Sequence, residues 1–373
     1  MRYLITHIAP KDKILDYKVS PAACNFCYNL ISGNMFDKVY SILPSYVSEH
    51  QRPLNQDGVE YIYSSWRWKN RLTHKMAPII ENFLVYKKID KKSSVWLYNM
   101  TMLNIWLVLL LRYLKPSVQI NVIVLDFTPG DKYWKFFLKQ INRCHGRILL
   151  ANYEHFDKHN SLILPGVTPL DDKTYPMVNK IKREFLISGV LANNISMLSM
   201  LLSVFSKLPD FTLHITGIIE NDNEIVAYVN KYPNIKYYGR LPFPDYLKLL
   251  SEVPFVLSTR NPEFPENRCN FPSKIIEGLL YNRIIISTIV YEQLNGIKYF
   301  YIPSNENDFA KELMAIFKRP EIDLLTYANQ SRIVQNKFSN KVWKKSIAEI
   351  ENYKYENCYL FGSSQSTSSA SCR

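Results

Sequence analysis

The chain has 373 residues, 47% of them apolar and 14% aromatic, with only 11 glycines. That length and apolar content predict two α/β domains and exclude a disordered or collagen-like chain. Lys+Arg exceed Asp+Glu by 46 − 33 = 13, which points to an anionic partner such as a phosphorylated substrate, a membrane surface or nucleic acid.

Strands are predicted near Tyr3–Ile8, Val39–Leu43, Val59–Tyr63, Val95–Tyr98, Ile120–Leu125 and Ile148–Leu150. Between them, apolar residues recur at helical spacing near Pro21–Ile31, Asn70–Val85, Met102–Leu114 and Tyr133–Arg143. Met1 to Ile8 alternates like a strand, not like a signal core. The apolar run Met102–Leu111 is too short to span a bilayer. The expectation is a cytoplasmic protein with at most peripheral membrane contact. Cys24 and Cys27 form a CxxC, but on a helix and without a second pair at metal-site spacing, so they read as core residues in a reducing compartment.

Periodicity stops between Leu164 and Lys182, where prolines and Asp171-Asp172 suggest a linker. A second series follows. It has a strand at Phe185–Ile187, one helix with Ile195, Leu198, Leu201, Leu202 and Phe205 on a face, and strands at Phe211–Thr216 and Ile235–Tyr238. A helix from Asp245, a strand at Pro254–Leu257, a helix at Pro272–Tyr281 and a strand at Ile284–Thr288 complete it. The implied division is an N-terminal domain over 1–168, a C-terminal domain over 169–338, and a last helix over 339–356. A polar tail over 357–373 is expected to be disordered.

Parallel α/β sheets bind ligands at the carboxyl ends of their strands. In the second series those ends carry Ser188-Gly189, Gly217, Gly239, Ser258-Thr259-Arg260 and Ser287-Thr288. The segment Asn270–Leu280 (NFPSKIIEGLL) carries a sharper signal. Pro272 and Ser273 open a helix whose buried stripe is Ile275, Ile276, Leu279 and Leu280. Lys274, Glu277, Gly278 and Tyr281 are then expected on the other face. Lys274, beside the free N–H groups of the first turn, suits an anion such as a diphosphate. Glu277 suits a vicinal diol such as ribose, and Gly278 close approach. An ordinary solvent-exposed Lys–Glu pair is the competing reading.

The ordered set FLISGVL (185–191), FTLHITG (211–217), IKYYGRL (235–241), FPSKIIEG (271–278) and IIIST (284–288) resembles the donor domain of retaining GT-B glycosyltransferases of the GT4-like group. The resemblance is closest to bacterial enzymes of capsule, exopolysaccharide and surface-glycan synthesis. It implies two Rossmann-like domains with a cleft between them and a last helix crossing back. It also implies transfer of a sugar from a nucleotide-diphosphate donor, UDP-linked, to a saccharide acceptor on lipid or protein.

By that resemblance Glu277 binds the ribose, and Lys274 and Arg260 neutralise the leaving diphosphate. Ser188, Gly189, Asn193 and Ser273 line the donor, and the base lies near Gly217 and Gly239. Acceptor contacts fall at Ser20, Asn25, Asn99 and Asp126. No metal is expected, because Asp171-Asp172 lies in the linker, and no cofactor beyond the donor substrate.

Two departures stand out. The glutamate that many relatives carry eight residues before the ribose-binding one is Cys269 here, with Glu263 and Glu266 nearby. The basic pair that follows the Ser-Gly turn is replaced by Asn193 and Asn194. A binding or scaffold subunit without turnover is therefore the alternative. Nucleic acid is set aside, since no arginine-rich tract or RNA-binding signature accompanies the charge. The charge instead fits docking on an anionic membrane through Asn70–Val85 and Lys87–Lys92, or dispersed charge for solubility.

Overall fold

Runs of β-branched and aromatic residues form the strands of two parallel sheets, and the interruptions between them form the helices. The computed structural model describes residues 1–353 apart from 15, 18, 44–46, 126, 128, 131, 152–154, 171–173, 220–221, 266 and 268–269. Asp126, Asp171-Asp172, Glu266, Cys269 and the 357–373 tail lie outside the described residues, as do the side chains of Asn193 and Asn194.

The first sheet contains β1 (Arg2–Thr6), β2 (Lys38–Ile42), β3 (Glu60–Ile62), β4 (Ser94–Tyr98), β5 (Gln119–Val124), β6 (Gly146–Leu149) and β7 (Ser161–Ile163). Its order is β3-β2-β1-β4-β5-β6-β7, with parallel pairing throughout. Helix α1 (Pro21–Ser32) shares one core with Trp96 and Ile148. Helices α2 (Arg71–Lys88), α3 (Ile105–Leu114) and α4 (Trp134–Asn142) contribute Val85, Leu107, Leu111 and Ile141 to another. The sheet is therefore covered on both faces, as a parallel sheet requires.

The second sheet contains β8 (Glu184–Val190), β9 (Thr212–Ile218), β10 (Ile235–Tyr237), β11 (Phe255–Ser258), β12 (Ile284–Ser287) and β13 (Phe300–Tyr301), in the order β10-β9-β8-β11-β12-β13. It too is parallel. Ile284, Ile285 and Ile286 are fully buried, as expected of a strand covered on both faces. The helices are α5 (Asn193–Ser196), α6 (Leu198–Ser206), α7 (Asp222–Lys231), α8 (Phe243–Glu252), α9 (Ser273–Leu280), α10 (Glu306–Ile316), α11 (Glu321–Leu325), α12 (Ser331–Lys337) and α13 (Asn340–Asn352).

The single helix expected over Ile195–Phe205 is two. Met197 takes a left-handed conformation (φ 55°) between α5 and α6, and the Ser196 carbonyl accepts the Thr259 hydroxyl at 2.6 Å. That bond ties the break to the end of β11. Strands β7 and β13 and helix α7 were not anticipated; each is short or strongly polar, so periodicity there is weak.

Both passages of the chain between the sheets lie together. Thr168 donates its N–H to the Phe338 carbonyl at 3.0 Å, and Asn340 Nδ2 donates to the Thr168 carbonyl at 3.3 Å. Helix α13 then packs on the first sheet. Trp343 is fully buried, donates Nε1–H to the Gly166 carbonyl at 2.8 Å and meets Phe26 edge-on at 5.4 Å. Glu351 accepts from Arg2 Nε and from Trp96 Nε1, each at 2.9 Å. The approach needs Gly146, where a Cβ would lie 2.1 Å from Ile350 Cγ2.

Candidate active site

In a doubly wound sheet the crevice opens where the winding reverses. The strand orders put those reversals between β1 and β4 in the first sheet and between β8 and β11 in the second. At the second reversal stand Ser188-Gly189 and Thr259-Arg260.

Residues Ser188, Lys274 and Glu277 meet here, around a residue that the sequence did not single out. Tyr246, in the first turns of α8, donates its phenol to Glu277 Oε2 at 2.7 Å, and Lys274 Nζ donates to the same oxygen at 2.7 Å. The Lys274 ammonium also sits 4.2 Å from the centre of the Tyr246 ring. Ser188 Oγ lies 3.5 Å from the phenol oxygen. Burial first, and the Glu277 charge second, push the Tyr246 phenol well above its ordinary range, so it remains a donor. Both contacts fall on Oε2, which leaves Oε1 for a ligand. A partly exposed i,i+3 pair alone contributes only a few tenths of a kcal/mol to a helix. A nearly buried tyrosine aimed at the same carboxylate is more than such a pair requires. The sequence signal for Tyr246 was weak: a tyrosine at the start of the helix that follows Gly239.

Gly189, Gly217 and Gly239 form a second group at the strand ends. Gly189 pairs with Gly217 across β8 and β9, and the Gly217 N–H donates to the Gly239 carbonyl at 3.0 Å. Thr216 Oγ1 donates to the same carbonyl at 2.8 Å. Gly217 has φ +142°, and a Cβ on it would lie 1.9 Å from the Gly189 carbonyl oxygen, so no side chain fits. The edge is left as bare backbone.

Arg260 is held by its backbone. Its N–H donates to Thr288 Oγ1, which donates in turn to the Arg260 carbonyl, both at 2.7 Å. Burial pushes the Tyr291 phenol up to about 12, while the Arg260 charge acts against that. Tyr291 and Thr288 help line a cavity of about 340 Å³ that also touches Ala151, just beyond β6 of the first sheet. Ser273, the first residue of α9, is exposed.

Gly278 does not share the Lys274 face. It is buried, and a Cβ there would lie 2.8 Å from Ile285 Cδ1 and 3.4 Å from Val256 Cβ. The glycine lets α9 approach the sheet, a packing use of the residue that the spacing did not bring out.

Across the cleft, Asn99 is tied to the scaffold. It has φ 56°, its Oδ1 accepts the Leu125 N–H at 2.7 Å, and its carbonyl accepts Asn104 Nδ2 at 2.8 Å. These bonds fix its backbone and Oδ1 at the carboxyl edge of the first sheet. Ser20 caps α1, accepting the Ala23 N–H at 3.4 Å, and Asn25 is exposed on the same helix. His7, at the first reversal point, was missed. Its Nδ1 is 3.1 Å from the Ile42 carbonyl, so Nδ1 carries the proton and Nε2 accepts from Asn104 Nδ2 at 3.2 Å. Burial pushes His7 down to about 4, which keeps the ring neutral.

Two doubly wound parallel sheets and a last helix returning to the first sheet decide the architecture. The chain has the GT-B fold. Solved structures agree over nearly the whole length. HepE of Anabaena in complex with UDP-glucose matches with a TM-score of 0.65 and 14% identity, covering 94% of this chain and 98% of that one. A trehalose-6-phosphate protein from E. coli bound with UDP-2-fluoro glucose matches with a TM-score of 0.64 and 9% identity, covering 95% and 100%. The N-terminal domain of Candida albicans trehalose-6-phosphate phosphatase matches at 0.67 and 11%, covering 94% and 96%. No protein-family model and no curated protein sequence matches the chain. In GT-B terms the Lys274–Glu277–Tyr246 cluster stands at the reversal point of the second sheet, and no helix among the described residues is long and apolar enough to cross a membrane.

Proposed function

We propose that this chain is a glycosyltransferase that moves a sugar from a UDP-linked donor to a saccharide acceptor. The observation that carries the reading is Tyr246 donating to Glu277 beside Lys274, at the start of a helix on the reversal point of a GT-B sheet. The bound ligands of the structural relatives, UDP-glucose in HepE and UDP-2-fluoro glucose in the E. coli protein, support the choice of donor.

In this reading Glu277 Oε1 accepts the ribose diol. The diphosphate takes the Lys274 ammonium and the free N–H groups of α9. Negative charge grows on the leaving diphosphate as the glycosidic bond breaks, so donors aimed there stabilise the transition state more than the ground state. Arg260 adds a second cation. Ser188, Gly189, Asn193 and Ser273 line the donor, and the base lies on the bare backbone of Gly217 and Gly239. The acceptor meets the carboxyl edge of the first sheet, near Ser20, Asn25, Asn99 and Asp126. Retention of configuration, independence of metal, and a place in bacterial surface-glycan synthesis on the cytoplasmic side belong to the same proposal.

The test is donor hydrolysis and transfer over a panel of UDP-sugars, with Lys274→Ala and Glu277→Ala as controls. Turnover at limiting donor that both substitutions depress supports the reading, and turnover that neither changes sinks it. A binding subunit without turnover is favoured by one observation: residues 190–194 after the Ser-Gly turn include no cation. Tight UDP-sugar binding without transfer would decide for it.

A further inference from the structure

A helix that covers a sheet normally turns its apolar stripe inward and its polar face to water. Helix α2 does the reverse. Its buried residues are Ala77, Glu81, Asn82 and Val85. Glu81 is neutralised by Arg67, whose Nε donates to Oε1 at 3.0 Å. Asn82 accepts the Leu107 N–H at 2.9 Å and donates to the Leu103 carbonyl at 2.6 Å. Leu72, Met76, Ile79 and Phe83 point outward and are between 38% and 69% exposed. At helical spacing these four fall within an arc of about 60° and run for roughly 16 Å. Trp106 and Tyr113 add exposed aromatic surface on α3, against which α2 packs.

Charge indicates what covers this stripe. Arg71, Lys75, Lys87 and Lys88 are exposed on α2, and the sole acid on α2, α3 and α4 is the buried Glu81. Lys88 pairs with Glu60 at 3.0 Å and the exposed Asp90 follows just past the helix, but Arg71, Lys75 and Lys87 border the apolar and aromatic residues, and a stripe bordered mainly by cations matches the interface of an anionic bilayer. A two-fold self-association centred on Ile79 fits less well, because it would set Arg71 of one copy against Lys87 of the other.

We propose that the outer face of α2 is a docking surface for an anionic lipid bilayer. Leu72, Met76, Ile79 and Phe83 enter the headgroup boundary, and Arg71, Lys75 and Lys87 engage lipid phosphates. Helix α2 starts after β3, at the carboxyl edge of the first sheet, so docking holds the acceptor side of the cleft near the bilayer. The inference deepens the glycosyltransferase reading by favouring a lipid-linked acceptor, and rests on that reading for this point alone.

The test is sedimentation of the full chain with vesicles of phosphatidylcholine, alone or with about a third phosphatidylglycerol. Binding is expected to the anionic vesicles, to weaken with salt, and to fall about tenfold in the Ile79→Ser/Phe83→Ser and Lys75→Glu/Lys87→Glu variants. Equal binding by the variants, or none by the parent chain, would overturn the proposal. So would a parent dimer that ignores vesicles and becomes monomeric in Ile79→Ser/Phe83→Ser. UDP titration of each variant checks the fold and separates the two claims: a chain that binds vesicles but not UDP sinks the donor reading alone, and the reverse sinks the surface alone.

Discussion

The phenol of Tyr246 and the ammonium of Lys274 donate to one and the same oxygen of Glu277, each at 2.7 Å. This convergence fixes the carboxylate before any ligand arrives. A hydrogen bond to a charged group contributes about 1.5–3 kcal/mol. Tyr246→Phe keeps the ring under Lys274 but removes the donor to Glu277. UDP affinity is expected to drop about tenfold, with donor KM rising more than kcat falls. Tyr246 is thus a positioning residue. Titration and steady-state kinetics would show it, and an unchanged KM would leave the phenol without that role.

Lys274 and Glu277 are expected to fail differently. Removing one donor to developing negative charge costs about 10²–10³ in kcat. Lys274→Ala should therefore depress kcat on that scale, while Glu277→Ala should act chiefly through donor KM. Kinetics with a saturating donor distinguishes the two, and identical profiles would contradict the division of labour.

The glycines divide between edge and packing. Gly217→Ala would force a Cβ to within 1.9 Å of the Gly189 carbonyl, where backbone must move. It is expected to lower both stability and UDP affinity. Gly278→Ala meets the end of a flexible Ile285 side chain at 2.8 Å, so a loss of stability of about 1–3 kcal/mol is expected, with donor affinity preserved in the folded fraction. Thermal denaturation and UDP titration of both variants provide the comparison.

Acid should destabilise the chain through its buried histidines. Burial and then Lys236 push His214 down to about 4 from 6.5, and burial pushes His7 to about 4. Between those values the unfolded chain binds more protons than the folded one, so stability is full above pH 6.5 and declines as pH falls toward 4. For His214, which is 6% exposed, the loss is about 3 kcal/mol. Urea denaturation from pH 7 to 4 should show this slope, and His214→Phe should make it shallower, with His7 supplying the remainder. The variant keeps an aromatic ring to stack on Tyr238. Parallel slopes for parent and variant would contradict the assignment.

Much of the architecture was legible because parallel strands and their covering helices carry strong periodicity. The buried run Ile284–Ile286 and the stripe Ile275, Ile276, Leu279 and Leu280 read directly. Met197 could not be read, because a left-handed residue between two apolar stretches leaves the hydrophobic spacing unbroken. Gly278 was misplaced because it lies at the border between the sheet face and the ligand face, where spacing does not discriminate. Tyr246 and His7 became visible only when the strand order brought helix starts and strand ends to the same reversal points. The inverted face of α2 was hidden in another way: Glu81 and Asn82 look like surface residues until Arg67 and Leu107 are seen against them.

Calorimetric titration of UDP into the full chain and into its Glu277→Ala variant tests the central claim most directly. The account predicts one UDP per chain and an affinity at least about tenfold weaker in the variant. A folded parent chain that gives no UDP binding, or a variant that binds as the parent does, would contradict it.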